Sequence, residues 1–256
     1  MKSDKKTKTA PALSRGLKLM EFLAGSAEPQ SLTAIASQMD IAMSTAFTLC
    51  ATLVDAGYVE KHGVSYQLTL KVLDLASSKI RHSEIVDLFN EACEDIDLIK
   101  KNGATLTMLD GPDVFFIAVR NSPQPLGVTF RPGTRLPACC MASGRALLSS
   151  LTNEEVCELY PNEEIPQMTK ANPRFRSELL EILAETRASG HSREIKGTRP
   201  HMYSYGALVS SPNGRAVAGV ALSLHEEDMT PEVEIEAVEA IQSLGARLSQ
   251  FSSVLG

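Results

Sequence analysis

The chain has 256 residues, of which 43% are hydrophobic, enough to bury the core of one large domain or of two smaller ones. Its net charge of −6 argues against a uniformly basic nucleic-acid-binding protein. Residues 1–82 carry ten Lys and Arg against seven Asp and Glu, whereas residues 83–256 carry 15 against 24, so only the first part suits a polyanion.

The cysteine spacing and the lengths of the apolar segments indicate the cellular compartment of the protein. The five cysteines form no CxxC pair, and no apolar run approaches the roughly 18 residues of a membrane span. The sequence shows neither a signal-like apolar N-terminal segment nor a metal-ligand spacing such as HExxH. We therefore expect a reduced, cytoplasmic protein with no cofactor, no bound metal and no membrane partner.

Three short helices are predicted after a polar, Lys-rich arm at residues 1–11, which we expect to be disordered. Apolar residues recur at helical spacing, and the helices end near Gly25, Met39 and Gly57. The Thr33 hydroxyl is expected to cap the second helix. The apolar positions are Leu13, Leu17 and Met20 in the first helix, Leu32, Ile35, Ala36 and Met39 in the second, and Ala46, Leu49, Cys50 and Leu53 in the third.

A hairpin follows the third helix. Residues 58–61 and 64–68 alternate in polarity around His62-Gly63, which predicts two antiparallel strands. Two short helices separated by a brief turn are typical of a helix-turn-helix, and a hairpin directly after it is typical of a wing. We predict a winged helix-turn-helix domain at residues 12–69, with the helix-turn-helix at 31–50, in preference to a plain three-helix packing unit.

A linker helix and an α+β domain are predicted for the remainder. Residues 70–82 are predicted to form the linker, with an apolar stripe (Leu70, Leu73, Ile80) suited to holding two winged domains together. Residues 83–256 predict an antiparallel sheet with helices, because hairpin turns join the strands. The strands are predicted at 104–110, 114–120, 204–211 and 215–224, and the helices at 83–102, 142–151, 152–160, 173–189 and 232–251.

Five segments carry a resemblance to a known family. They are ALSRGLKLMEFL, SLTAIASQMDIAMSTAFTLCATLVDAGYVEK and YQLT in the first half, and PGTRLPACCMASGRALLSSL and PNGRAVAGVALSL in the second. With these segments in this order, the chain resembles the IclR-type bacterial transcriptional regulators over nearly its whole length. The resemblance implies a winged helix-turn-helix, a linker helix and a GAF-like antiparallel-sheet effector-binding domain. It also implies homodimers or tetramers that perform no enzymatic reaction.

The predicted recognition helix carries no Lys or Arg, although family members usually have a basic residue where Thr48 stands. Hydroxyls can still bond to bases, and Phe47 or Met43 can contact thymine methyls, while Ser44 is equally suited to capping the helix. Phosphate contacts would then fall to the arm, the first helix and the wing. The residues predicted to bind double-stranded operator DNA are Arg15, Lys18, Thr33, Met43, Ser44, Thr45, Phe47, Thr48, Lys61 and His62, with Lys2, Lys5, Lys6 and Lys8 of the arm.

Residues 134–148 place small side chains at a helix N-terminus, where unpaired N–H groups suit a carboxylate; tight helix packing is the alternative role. The resemblance implies that this segment lines the pocket of a small-molecule effector, which we expect to be an organic or aromatic acid. The residues carried over are Leu136, Ala142, Ser143, Glu194, Ser204, Ala221 and Ser223. Lys196, Arg199 and His201, where the family is usually acidic, supply either a second anionic contact or a solvated loop.

The resulting prediction is a ligand-responsive transcriptional regulator that represses a catabolic operon. Three alternatives remain open. Cys139 or Cys140 could serve as the nucleophile of a hydrolase, with His191 or His201 as its base, or as a redox sensor. The chain could also be a sensor that has lost DNA binding. The enzyme is disfavoured because no nucleophile elbow or phosphate-binding loop accompanies the cysteines.

Overall fold

The computed structural model describes residues 10–72, 75, 83–122 and 130–250. The chain divides into two compact units, Met1–Arg81 and His82–Gly256. Most of the predicted arm lies outside the described residues, as do Leu73 and Ile80 of the predicted linker helix. The predicted domain limits therefore stay predictions. No helix in the described part of the chain is long and apolar enough to span a membrane.

The N-terminal unit has the predicted order of helix, helix, helix and hairpin. Its strands pair antiparallel in the order β1 (Gln30–Ser31), β3 (Ser65–Leu68) and β2 (Val59–His62). Leu19, Ile35, Cys50 and Tyr66 belong to one buried core between the helices and the hairpin. The elements are α1 (Pro11–Ala24), β1 (Gln30–Ser31), α2 (Leu32–Gln38), α3 (Met43–Asp55), β2 (Val59–His62) and β3 (Ser65–Leu68). The winged helix-turn-helix is confirmed.

The buried face of α1 differs from the predicted one. Leu19 and Leu23 enter the core, whereas Leu13 and Leu17 are 65% and 53% exposed. The helix carries apolar residues on two sides, so the spacing alone fits either face. The contacts with α3 and the hairpin decide which side is buried.

The cap of α2 was predicted at the wrong residue. The Ser31 hydroxyl accepts a hydrogen bond from the Ala34 N–H at 3.2 Å, and Thr33 is exposed inside the first turn. Pairing of β1 with β3 holds Ser31 extended directly before the helix, which is the backbone conformation of an N-cap residue. The β1 strand itself is not evident from the sequence, because it has two residues.

The C-terminal unit is built on a six-stranded antiparallel sheet with the order β6-β5-β4-β9-β8-β7. Its first half contains α4 (Ser83–Asp95), α5 (Asp97–Asn102), β4 (Gly103–Asp110), β5 (Asp113–Asn121), β6 (Arg135–Pro137) and α6 (Ala142–Ser149). Its second half contains α7 (Asn153–Leu159), α8 (Arg176–Ser189), β7 (Ser192–Ile195), β8 (Met202–Ser210), β9 (Ala216–His225) and α9 (Pro231–Gln250). The predicted α+β class is confirmed.

Two cores lie on the two faces of the sheet. Leu106, Tyr205 and Val220 point to one face and pack with α4 and α9. Val114 and Phe116 point to the other face and pack with α6, α7 and α8. Since side chains of a strand alternate between the faces, the four central strands β5, β4, β9 and β8 contribute to both cores. The second face holds the residues predicted to bind the effector.

Three elements of this unit differ from the sequence prediction. The single helix predicted at 83–102 is two helices, because Ile96 is extended (φ −106°, ψ 104°) and Asp97 begins α5. An acidic residue in the first turn favours such a new start, through the positive end of the helix dipole. The edge strands β6 and β7 were not predicted, because three and four residues are too few for a clear alternation of polarity.

Candidate DNA-binding and effector-binding sites

The recognition helix α3 exposes two large apolar side chains. Ala46 and Cys50 are buried on its inner face, whereas Met43 and Phe47 are 46% and 54% exposed. The exposed pair lies one helical turn apart, in the N-terminal half of the helix. This is the half of a recognition helix that contacts base edges in a helix-turn-helix complex.

Several hydroxyl side chains lie along α3, and none of them caps its N-terminus. The cap residue is Ala42, which makes no side-chain hydrogen bond. Ser44 and Thr48 are exposed and Thr45 is half-buried. The Thr48 hydroxyl donates to the Ser44 carbonyl at 2.9 Å, and that of Thr52 donates to the Thr48 carbonyl at 2.8 Å. The protons of these two threonines are therefore already used within the helix.

Two cations lie beside the helix-turn-helix. Arg15 and Lys18 are exposed on α1 and line a cavity of about 640 Å³. Gln38–Ile41, which include the last residue of α2 and the turn before α3, line the same cavity. Asp40 in this turn has a left-handed backbone (φ +50°). The position of the two cations suits phosphates that flank the N-terminal end of α3.

The wing carries the other predicted phosphate contacts, and both have neighbours within it. The Lys61 ammonium lies 5.9 Å from the centre of the Tyr66 ring. His62 Nε2 lies 3.1 Å from a carboxylate oxygen of Glu60, so a protonated His62 is partly neutralised. The wing thus offers less free positive charge than its sequence suggests.

The folded part of the winged unit is not basic. Residues 10–72 contain four Lys and Arg against five Asp and Glu. One of these cations, Lys71, donates to the Ala56 carbonyl at 2.8 Å. Residues 1–9 contain four Lys against one Asp, so the excess positive charge of the first 82 residues comes mainly from the arm.

The register of the sheet brings the predicted effector residues to the face that α6 covers. The residues paired across neighbouring strands are Leu136 with Val114, Glu194 with Ser204, Ser204 with Ser223, and Gly206 with Ala221. Ala142 and Ser143 stand over this face at the start of α6. Residues from five separate elements are therefore brought together.

The start of α6 packs closely on the sheet. A Cβ atom on Gly206 would lie 2.6 Å from the Ala142 carbonyl oxygen, and one on Gly219 would lie 2.6 Å from that of Ser143. The Ser192 hydroxyl donates to the Ala142 carbonyl at 2.6 Å. The small residues of the sheet thus permit close helix packing and fix the position of the α6 N-terminus.

Two buried hydroxyls on this face have no hydrogen-bond partner among the described residues. They belong to Ser143, which is fully buried, and Thr105, which is 5% exposed. Thr105 pairs with Ala221 across the sheet and was not among the predicted residues. The sequence could have indicated Thr105, because apolar and polar residues alternate in ATLTMLD (104–110) and this pattern puts the polar side chains on one face of the strand. An unpaired buried hydroxyl is unfavourable unless a ligand or water completes it.

Further polar groups and an aromatic ring lie near Thr105. The Ser204 and Ser223 hydroxyls bond to each other at 3.0 Å. A cavity of about 20 Å³, close to the volume of one water molecule, is lined by Thr105, Phe130 and Ser223 among others. Phe130 stacks on Phe116 with 5.1 Å between the ring centres.

Glu194 is fully buried, and its carboxylate accepts hydrogen bonds from its own loop. The donors are the backbone N–H groups of Gly197 and Thr198 and the Thr198 hydroxyl, the latter two at 2.9 Å. Burial raises the pKa of Glu194, and these donors together with the nearby charge of Arg145 oppose that shift. Glu194 therefore holds the loop after β7 in place.

Two of the three residues of the loop after β7, Lys196 and His201, face the carboxylate of Glu226. The Lys196 ammonium contacts one carboxylate oxygen of Glu226, and His201 Nδ1 lies 3.1 Å from the other. Arg199 is exposed. This arrangement supports a solvated loop as the role of the three residues.

A larger cavity of the C-terminal unit lies away from the predicted residues. It has about 600 Å³ and is lined by Met108, Leu109 and residues 213–218, where β4 and β9 diverge beyond the Thr107–Gly219 pair. None of the seven predicted effector residues lines it. Its lining also contains polar side chains, among them Glu155, Asn213 and Arg215. We favour the face under α6 because it holds two buried hydroxyls that have no partner among the described residues.

Cys139 and Cys140 are buried, with their sulfur atoms 3.9 Å apart. The pKa of Cys140 is raised by its hydrogen bond with Cys139 and by burial. His191 Nδ1 lies 3.3 Å from the Ser189 carbonyl oxygen, and His201 faces Glu226. Neither histidine contacts a thiol among the described residues, so the geometry does not support the hydrolase alternative.

Comparison with known proteins identifies both units. The family model of the IclR helix-turn-helix domain matches residues 12–63, and that of the bacterial transcriptional regulator IclR C-terminal domain matches residues 77–250. The HTH-type transcriptional repressor AllR of Salmonella paratyphi A is 21% identical, over 94% of this chain and 90% of its own length.

Solved structures share the fold of this chain. The repressor BlcR of Agobacterium tumefaciens is 29% identical, covers 95% of this chain and 99% of its own, and superposes with a TM-score of 0.59. An IclR homolog of Microbacterium hydrocarbonoxydans, solved with 4-hydroxybenzoate, is 17% identical, covers 93% and 98%, and has a TM-score of 0.81.

Proposed function

The chain belongs to the IclR family of bacterial transcriptional regulators, and from this premise we propose that it represses a catabolic operon and is released by a small organic or aromatic acid. The relatives named as repressors, AllR and BlcR, support the sign of regulation. The homolog solved with 4-hydroxybenzoate supports a carboxylate as the effector. The protein acts in the cytoplasm as a homodimer or tetramer.

On the DNA side, α3 enters the major groove of the operator with its Met43–Thr48 face. Arg15 and Lys18 contact phosphates beside the turn, and Lys61 and His62 contact phosphates from the wing. The exposure of these side chains in one unit supports this assignment. The arm supplies the remaining charge, because the folded part of the unit is close to neutral.

On the effector side, the carboxylate of the ligand binds at the start of α6. The observation that carries this proposal is the Ser143 hydroxyl, which is fully buried and unpaired among the described residues. The first N–H groups of a helix have no partner within the helix, and its dipole favours an anion there. The body of the ligand lies along Leu136, Ala221 and Ser223, with Thr105 as an added contact.

The two sites are coupled through their binding equilibria. The acid must bind more tightly to the arrangement that does not bind DNA, and DNA must weaken binding of the acid by the same factor. The competing function is a sensor that has lost DNA binding, which the near-neutral winged unit favours. Selection of duplexes distinguishes the two.

The test uses the full chain and a library of random DNA duplexes. We expect repeated selection to recover one sequence, which the chain then protects in a footprint. We also expect 4-hydroxybenzoate or another small carboxylate to raise the melting temperature of the chain. The neutral amide of the same acid, 4-hydroxybenzamide for 4-hydroxybenzoate, serves as the matched control and should not raise it. Recovery of no sequence would contradict the regulator, and equal shifts by acid and amide would contradict the carboxylate site.

A further inference from the structure

The recognition helix lacks every side chain that recognises guanine or adenine through two hydrogen bonds. These side chains are Arg and Lys for guanine, and Asn and Gln for adenine. α3 reads MSTAFTLCATLVD and contains none of them, and its one acidic residue, Asp55, is its last. Direct recognition of purines by paired hydrogen bonds is therefore not available to this helix.

Its hydroxyl groups are weak substitutes. Thr48 and Thr52 donate their protons to carbonyls one turn back, which leaves each only as an acceptor. Thr45 is half-buried, so Ser44 is the remaining exposed hydroxyl in the first turns. A single hydroxyl can bond to any base and discriminates poorly between them.

What the helix does offer is apolar surface. Met43 and Phe47 lie one turn apart and are about half exposed, while their neighbours Ala46 and Cys50 are buried in the core. The 5-methyl group of thymine is the apolar group that base edges present in the major groove. Arg15 and Lys18 adjoin the turn before α3, where they can hold phosphates on either side of that contact.

We propose, on the basis of the DNA-binding function inferred above, that Phe47 and Met43 recognise the operator through thymine 5-methyl groups. The ligand class is a duplex whose half-sites present thymine methyls side by side in the major groove. Specificity then comes from apolar contact, and affinity comes from the phosphates. A recognition helix of this kind needs no positive charge.

The test replaces thymine by uracil, which removes only the 5-methyl group. Duplexes recovered by selection with the full chain are synthesised with thymine or with uracil, and both forms are titrated at the same salt concentration. Burial of one methyl is worth a factor of about four in affinity, so removal of two or more methyls should weaken binding more than tenfold. Phe47→Ala should prefer thymine over uracil by no more than about fourfold, because only the methyl contact of Met43 remains.

Leu13→Ala is the matched control. Leu13 is a large side chain of the same unit, 65% exposed, but it lies on α1. This variant should keep the full preference for thymine over uracil, even if its overall affinity changes. Met43→Ala should lose part of the preference.

Each outcome decides between explanations. Equal binding of thymine and uracil duplexes by the unmodified chain overturns the inference but leaves DNA binding intact. Recovery of no duplex overturns the proposed function and the inference with it. If Phe47→Ala keeps the preference for thymine and instead loses self-association in sedimentation, the apolar pair is a contact between copies of the chain.

Discussion

Replacement of Ser143 by alanine should make the protein more stable and less responsive. Its hydroxyl is fully buried without a partner among the described residues, and an unsatisfied buried hydroxyl is unfavourable by about 1–3 kcal/mol. Alanine removes that oxygen and leaves the Cβ atom in place. We expect a gain of about 1 kcal/mol, which raises the melting temperature of a unit this size by roughly 2–4 °C.

Ser192→Ala provides the matched control. Ser192 is also fully buried and lies on the strand beneath the same helix, but its hydroxyl donates to the Ala142 carbonyl at 2.6 Å. Removal of that donor leaves a buried carbonyl without its side-chain partner, so this variant should lose about 1 kcal/mol. The two serines thus predict opposite signs for the same chemical change.

The assay is thermal unfolding of both variants with and without the carboxylate that stabilises the unmodified chain. A hydrogen bond to a charged group contributes about 1.5–3 kcal/mol, so Ser143→Ala should need at least about tenfold more ligand for the same shift. If Ser143→Ala lowers the melting temperature as much as Ser192→Ala does, the hydroxyl has a partner in solution. The account of an open ligand contact at α6 is then refuted.

Three further predictions concern the backbone and the arm. Deletion of residues 1–10 removes four lysines and should reduce the slope of log K against log salt by about 0.9 for each phosphate that the arm neutralises; an unchanged slope would place the phosphate contacts elsewhere. Asp40→Gly should raise the unfolding free energy by about 1 kcal/mol, because the left-handed backbone at Asp40 is natural for glycine, and a loss of stability in denaturant titration would contradict this. Gly206→Ala should lower the unfolding free energy by about 1–3 kcal/mol, because its new Cβ atom would clash with Ala142. Gly16→Ala is the control: no atom lies near its Cβ position, so it should raise the unfolding free energy by about 1 kcal/mol. Equal effects of the two substitutions would show that α6 can move away from the sheet.

Local chemistry was enough to predict most of the N-terminal unit. Gly57, with φ +79°, ends α3 where the sequence places the end, and the hairpin around Gly63 follows. Both features depend on residues within one turn of each other. The buried face of α1 depends on distant contacts instead, so spacing could not choose between Leu13 and Leu19.

The effector site was only partly predictable for the same reason. The resemblance implies seven residues; the sheet register puts five of them on one face, and Ala142 and Ser143 lie on the helix above it. Whether a hydroxyl has a partner depends on atoms far away in the chain. Ser143 and Ser192 look alike in the sequence, yet one is unpaired and the other donates to α6. The pairing of β4 with β9 brings Thr105 beside Ala221, one of the residues predicted to bind the effector.

The hydrogen bonds of Glu194 could have been predicted from the sequence, because they are local. The resemblance assigns Glu194 to the ligand, and that assignment stays a prediction; in the structure its carboxylate accepts three hydrogen bonds from the loop that follows. A carboxylate that accepts backbone N–H groups three and four residues ahead is a local arrangement. Gly197 and Thr198 could have indicated it, since both lie within reach of a turn.

The most direct measurement of the central claim is the coupling between the two sites of the full chain. The dissociation constant of the selected duplex is measured by fluorescence anisotropy with and without the stabilising carboxylate. The dissociation constant of that carboxylate is then measured by calorimetry with and without the duplex. A ligand-responsive regulator predicts that both constants change by the same factor, typically about 5–150-fold. A carboxylate that raises the melting temperature but leaves the affinity for the duplex unchanged would contradict the account.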